Sequence, residues 1–82
     1  MPLLGRGPII LPMPARVSLT LNGEDRSFDG PLSVDGLLQT LALDRRKVAV
    51  ERNQSIVARS SYAATWLADG DTIEIVHFIG GG

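Results

Sequence analysis

The sequence predicts an α+β domain in which one helix packs on one face of a β-sheet, and three observations support this fold class. Residues 17–21 alternate between apolar and polar side chains, which is the period of a half-buried strand. Residues 34–41 place apolar side chains at helical spacing, and residues 72–79 form a second, strongly apolar strand. A chain of 82 residues has room for one small core.

The first 14 residues precede this pattern and contain four of the five prolines. Proline interrupts helices because it lacks the amide hydrogen and restricts its own backbone angle. The unbroken apolar run of a secretory signal is absent, and so are the roughly 20 apolar residues of a membrane span. We therefore expect residues 1–14 to form a flexible arm outside the domain. A start codon assigned too early is an alternative origin for residues 1–12.

A β-hairpin is predicted after this arm. The first strand is followed by Asn22-Gly23, a dipeptide that favours the positive φ angles of a tight hairpin turn. Residues 26–28 then form a short returning strand. Gly30-Pro31 ends this strand, because proline cannot donate a hydrogen bond to the ladder.

One convincing helix is predicted to follow the hairpin. Ser33 is a suitable N-cap, and Asp35 places a negative charge in the first turn, where the helix dipole favours it. Roughly three turns are expected, although Gly36 lowers helix stability by up to about 1 kcal/mol relative to alanine. The polar residues 44–46 are expected to be a solvated exit from the helix. The apolar stripe of the helix consists of Val34, Leu37, Leu38 and Leu41.

The second half of the chain predicts further strands and the turns between them. Residues 47–52 form a strand with Val48 and Val50 on one face. Asn53-Gln54 then turns the chain into a short strand at residues 55–57.

The connection to the last strand contains two aromatic residues and an acidic turn. A turn or one helical turn is expected first, with Ser60 or Ser61 as its cap. Tyr62 and Trp66 are expected in the core or at its edge. The sequence Asp69-Gly70-Asp71 lacks the other ligands of a calcium-binding loop, so it predicts a turn.

The composition excludes several classes of function. Without cysteine, the chain has no disulfides and no thiolate metal ligands, and its one histidine, His77, is too few for the usual triads or multi-histidine sites. Eight basic and nine acidic side chains give a formal net charge of −1, which provides no basic surface for nucleic acid. We therefore expect no catalytic residue, no metal site, no bound cofactor, and neither nucleic acid nor membrane as a partner.

The most informative feature is the C-terminal sequence, in which an apolar strand is followed by three glycines. Glycine has no Cβ atom, so Gly80, Gly81 and Gly82 can pass through a channel too narrow for other residues. At full extension they reach roughly 10 Å beyond the strand. We expect them to be a flexible tail on a domain that covers residues 15–79.

From residue 16 onwards, the chain resembles the ThiS family, the sulfur carriers of thiamine biosynthesis within the ubiquitin-like superfamily. The most specific likeness is LADGDTIEIVHFIGGG at the C-terminal end. The resemblance implies a β-grasp fold: a mixed four- to five-stranded sheet, the last strand beside the first, and one main helix on one face. The family pattern lacks the proline-rich arm and has tryptophan where this chain has Tyr62. The matching stretches are residues 21–24, 34–41, 47–53, 56–63 and 67–82.

The resemblance also implies a chemistry. In the family, an E1-like adenylyltransferase of the ThiF type uses ATP and Mg²⁺ to adenylate the C-terminal carboxylate. Sulfur from a cysteine desulfurase or another donor converts this group to a thiocarboxylate, and thiazole synthase of the ThiG type accepts the sulfur. By this resemblance, Gly82 is the adenylation and thiocarboxylate site, and Gly80 and Gly81 form a stalk that threads into partner enzymes. The protein is then a carrier and co-substrate, not an enzyme. Its expected location is the cytoplasm, because the sequence predicts neither a secretory signal nor a membrane span.

Two alternative functions remain open. The small subunit of molybdopterin synthase uses the same carboxylate chemistry with a different acceptor, so the pairing enzyme distinguishes it. A ubiquitin-like binding module would have a tail without chemistry, and deletion of Gly82 would leave its activity unchanged.

Phe78 and Ile79 are candidates for the partner interface, because they lie next to the predicted stalk. Packing within the sheet or core is the alternative for both residues, and the interface is favoured for Phe78.

Overall fold

The structure, a computed structural model, describes residues 14–78, which form a five-stranded mixed sheet with one α-helix. The strand order is β2-β1-β5-β3-β4, so the last strand lies beside the first, as predicted. Residues 1–13 of the predicted arm and the predicted tail lie outside the described residues. The elements are β1 (Arg16–Leu21), β2 (Glu24–Asp29), α1 (Val34–Thr40), β3 (Val48–Arg52), β4 (Ser55–Ile56) and β5 (Thr72–His77), with short 3₁₀ turns at Arg45–Lys47 and Arg59–Ser61.

The predicted hairpin is formed by β1 and β2, which pair in antiparallel register along their whole length. Asn22 and Gly23 join them with φ angles of 48° and 84°, as the tight turn requires. Strand β2 begins at Glu24, two residues before its predicted start. Its first residues are polar and exposed, so the apolar pattern did not reveal them, and pairing with β1 extends the strand.

Helix α1 is shorter than predicted, with seven residues or about two turns. Its start agrees with the prediction, because Oγ of Ser33 accepts a hydrogen bond from the Gly36 N–H at 3.0 Å. It ends early because Ala42 adopts a left-handed conformation with a φ of 59°. The Leu43 N–H then donates to the Leu38 carbonyl at 2.9 Å and closes the helix end. Glycine usually occupies such a position, so an alanine there hides the boundary from the sequence.

The second half of the sheet follows the prediction with smaller corrections. Asn53 and Gln54, with φ angles of 52° and 72°, form a tight turn between β3 and β4. The predicted serine cap is wrong: the 3₁₀ turn at Arg59–Ser61 begins after Ala58 without a side-chain cap, so both serines lie inside the turn.

The two aromatic residues before β5 have different environments. Tyr62 is buried, as predicted, but Trp66 is 51% exposed, so the prediction for Trp66 is wrong. The backbone explains the difference, because Trp66 bridges to Ser33 and the next residue, Leu67, takes the buried position.

The core lies between α1 and one face of the sheet. Alternating residues of β1, β3 and β5 are buried there, and the apolar residues of α1 cover them. This arrangement confirms the predicted helix stripe, of which Leu41 is only partly buried. The buried residues are Val17, Leu19, Leu21, Phe28, Leu32, Val34, Leu37, Leu38, Val48, Val50, Tyr62, Leu67, Ile73 and Ile75.

Asp71, in the turn before β5, is a buried charged residue that joins three segments of the chain. Its carboxylate accepts hydrogen bonds from Arg52 Nε at 2.9 Å, the Asn53 side-chain amide at 3.0 Å and the Ala68 N–H at 2.8 Å. Burial alone would raise the pKa of Asp71, but the hydrogen bonds from Asn53, Ala68 and Arg52 outweigh it and lower the pKa below its usual value. The charged carboxylate therefore ties the start of β5 to the end of β3.

The substitution Asp71→Ala is expected to lower the free energy of unfolding by about 2 kcal/mol, because it leaves three donors without their acceptor. Urea unfolding followed by circular dichroism measures the change. Asp29→Ala is the matched control: its side chain is 94% exposed and forms a surface ion pair with Arg16 at 3.0 Å, so a loss below about 0.5 kcal/mol is expected. Equal losses in the two variants would contradict the role of Asp71.

The contribution of Asp71 should also depend on pH. Because folding lowers the pKa of this carboxyl, its stabilisation is complete above the pKa of the unfolded chain and is lost as the pH falls through the folded pKa. The difference in unfolding free energy between the wild type and Asp71→Ala should therefore narrow below about pH 4. Urea titrations between pH 7 and pH 2 test this, and a constant difference across the series would be inconsistent with it.

Candidate functional site at the end of the last strand

The C-terminal end of β5 is the candidate functional site, because the predicted tail begins there. Strand β5 is the central strand and has hydrogen-bonded neighbours on both sides. With β3 it pairs in antiparallel register from Val48, opposite His77, to Arg52, opposite Ile73. Beyond the strand, the Phe78 N–H donates to the Lys47 carbonyl at 2.9 Å. The backbone is therefore held by the sheet up to Phe78, the last described residue.

Exposed apolar side chains lie on the face of the sheet opposite α1. Val76 is 60% exposed, Ile56 on the edge strand β4 is 68% exposed, and Phe78 is 52% exposed. Val76 and Phe78 share this face because they are two residues apart, and Ile56 reaches it by pairing with Glu51 of β3. We call Ile56, Val76 and Phe78 the outer apolar patch. The alternation in the sequence predicts the side that Val76 and Phe78 share, but it does not indicate Ile56.

His77 points to the opposite side of the strand end. Its side chain is exposed and lines a shallow groove together with Arg26, Leu41 and Leu43. Within residues 14–78, no group of three histidine, aspartate or glutamate side chains could hold a metal ion. The helices of this part of the chain are also too short to cross a membrane.

A turn at residues 44–47, which we call the root turn, supports the strand end. The sequence predicts only a polar exit there, yet Asp44 is an N-cap: its Oδ1 accepts a hydrogen bond from the Arg46 N–H at 2.9 Å. The Arg46 guanidinium also donates to both oxygens of this carboxylate, at 3.2 and 3.1 Å. These side-chain and backbone hydrogen bonds from Arg46 lower the pKa of Asp44 to about 2. The preference of aspartate for N-cap positions is the signal that could have revealed this turn.

The fold and the exit of the chain from its central strand define a small β-grasp domain of the ubiquitin-like class. Residues 19–82 match the family model of the ThiS family, and the chain belongs to this family. It is 42% identical over 65 residues to the sulfur carrier protein ThiS of Bacillus subtilis. The aligned region covers 78% of this chain and 98% of that protein. The crystal structure of the thiamine biosynthesis protein ThiS from Geobacter metallireducens superposes with a TM-score of 0.69 at 38% identity, covering 80% of this chain and 100% of that one.

Two thiazole synthases are also similar to this chain over 66 residues. The enzyme of Paramagnetospirillum magneticum is 54% identical and that of Magnetococcus marinus is 46% identical. The aligned region covers 80% of this chain but only 20% of each synthase, so the chain spans about a fifth of their length.

These findings confirm the predicted family and the predicted β-grasp fold. Phe78 is exposed and so is not packed in the core, and its place at a partner interface stays a prediction. Ile79, Gly80, Gly81 and Gly82 lie outside the described residues, so their roles stay predictions.

Proposed function

We propose that this chain is a sulfur carrier in the formation of the thiazole of thiamine, with the sulfur held on the carboxylate of Gly82. The most direct support is the position of the glycines in a chain of the ThiS family: they follow the end of β5 in the sequence. The described backbone is hydrogen-bonded up to Phe78, and Ile79 and three glycines follow in the sequence. A fixed root followed by residues without side chains suits the insertion of a carboxylate into a narrow active site.

The proposed chemistry begins with activation, because a carboxylate is a poor electrophile. An E1-like enzyme of the ThiF type, which holds ATP and Mg²⁺, joins the Gly82 carboxylate to AMP and releases pyrophosphate. A persulfide from a cysteine desulfurase attacks the carbonyl carbon, and the C–O bond to AMP breaks as the C–S bond forms. A thiol reductant then cleaves the S–S bond of this acyl disulfide and leaves the thiocarboxylate, whereas a donor that supplies sulfide gives the thiocarboxylate directly. The chain has no cysteine of its own, so the carboxyl group of Gly82 is where the carrier would hold sulfur.

The proposed acceptor is a thiazole synthase of the ThiG type. Two relatives that are themselves thiazole synthases contain a region similar to this chain, which supports a carrier and a synthase that act together. The family match favours this pathway over the small subunit of molybdopterin synthase. The cytoplasmic location stays a prediction.

Incubation with a ThiF-type enzyme, ATP and a sulfur source should increase the intact mass of the chain by the difference between sulfur and oxygen. Fragmentation by mass spectrometry should place this increase in the C-terminal peptide that contains Gly82. The carrier of Bacillus subtilis serves as the positive control. An unchanged mass under conditions that convert this control would contradict the proposal.

Two tail variants serve as controls for the position of the reaction. One residue appended after Gly82 moves the carboxylate out of place, and deletion of Gly82 shortens the reach by about 3.5 Å. Both changes should abolish the mass increase without changing the thermal unfolding of the domain. A binding module without tail chemistry would keep its activity after deletion of Gly82.

We also infer that the outer apolar patch contacts the partner enzymes. Exposed apolar side chains that share one face of a small protein mark interaction sites, and Val76 and Phe78 lead along this face of β5 to the root of the tail. Phe78 is its largest member and the nearest to the tail. Any partner that takes up the tail therefore meets this surface first.

The substitution Phe78→Ala should weaken binding to the ThiF-type enzyme by about tenfold, because it removes a large aromatic contact at the interface centre. Isothermal titration calorimetry measures the affinity. Trp66→Ala is the matched control, because Trp66 is exposed to a similar extent, 51% against 52%, but lies beside Ser33 at the start of α1. If both variants bind like the wild type, the interface does not include Phe78.

A further inference from the structure

The root turn connects the root of the tail to the rest of the domain through a short chain of hydrogen bonds. The Lys47 carbonyl accepts the Phe78 N–H at 2.9 Å, and the Lys47 N–H donates to the Asp44 carbonyl, also at 2.9 Å. The Asp44 carboxylate caps the same turn through the Arg46 N–H. Asp44 thus holds the conformation that places the Lys47 carbonyl opposite Phe78.

The root turn is also fixed against the helical side of the domain through Arg45. Its guanidinium donates to the Arg59 carbonyl at 2.9 Å, lies 3.9 Å from the Asp35 carboxylate and stacks over the Tyr62 ring at 5.7 Å. Asp35 belongs to α1, and Arg59 begins the second 3₁₀ turn. The root turn, which contains the Lys47 carbonyl that accepts the Phe78 N–H, is therefore held by α1 and by this second turn, in addition to β3.

From these contacts we propose that the root turn is a positioning element for the reacting terminus, and that Asp44 is its positioning residue. This inference rests on the function proposed above. With Phe78 held, four residues follow in the sequence and reach at most about 13–14 Å. When the hydrogen bond from the Phe78 N–H to the Lys47 carbonyl opens, Phe78 becomes one more residue that must be ordered when the tail enters a partner. This ordering costs conformational entropy. The cap of Asp44 keeps that bond closed, so the carrier binds with its root already in place.

The test compares Asp44→Ala with the wild type in two measurements. Hydrogen exchange of the Phe78 amide should become about fivefold faster, because the loss of an N-cap shifts the local opening equilibrium by that factor. Amides inside β3 and β5 should keep their exchange rates, which shows that the domain remains folded. In sulfur loading by the ThiF-type enzyme, KM for the carrier should rise by less than about fivefold while kcat stays unchanged, since the fraction of competent molecules falls by less than the opening constant rises.

The substitution Asp44→Asn distinguishes the cap from the charge. Asparagine is an equally good N-cap but carries no charge, so it should restore the wild-type KM and the wild-type exchange of Phe78. If Asp44→Asn raises KM as much as Asp44→Ala, the partner contacts the charge and the positioning role is wrong. An unchanged KM or unchanged Phe78 exchange in Asp44→Ala also overturns it. Failure of the wild type to load sulfur would instead overturn the proposed function, and the inference with it.

Discussion

The structure depends on the parallel contact between its first and last strands. Only two residue pairs form the backbone ladder between β1 and β5, and side chains extend it at both ends. At one end, Asn22 Oδ1 accepts the Ile75 N–H at 2.8 Å and its Nδ2 donates to the Ile75 carbonyl at 3.3 Å. At the other end, the Asp69 carboxylate accepts the Ser18 N–H at 2.8 Å. This contact joins two separate hairpin units into one sheet with one core.

The same contact sets the position of β5, the strand that precedes the C-terminal glycines in the sequence. Strand β5 is central: β1 contacts its first half, β3 pairs along its whole length, and carboxylates fix its two ends. Asp71 binds the start of the strand to β3 directly, and Asp44 acts on its end through the root turn. The two carboxyl groups also share a low pKa, so they are charged at neutral pH. The C-terminal glycines therefore follow, in the sequence, a strand whose last residues are held by β3 and by the root turn.

Local signals in the sequence predicted much of this fold, and the misses have physical causes. Alternation of apolar and polar residues predicts the strands, and the preference of Asn22-Gly23 for positive φ angles predicts the turn. Both signals are contained in a few neighbouring residues. The early end of α1 could not be predicted, because Ala42 takes a conformation that glycine normally marks. The exposure of Trp66 depends on a bridge to a residue distant in sequence. The likeness to a family, and not periodicity, placed β5 beside β1 and indicated the role of Gly82.

The central position of β5 has a consequence for how the chain folds. The hydrogen bonds between Asn22 and Ile75 close a loop of 53 residues, so the core cannot form from neighbouring segments alone. Contacts between residues this far apart in sequence slow folding, and a small single domain folds in one cooperative step. An incompletely folded chain would lack the sheet, the root turn and the fixed Phe78 at the same time. Under the proposed function, a partner enzyme that requires a fixed root would load sulfur only onto carriers whose folding is complete.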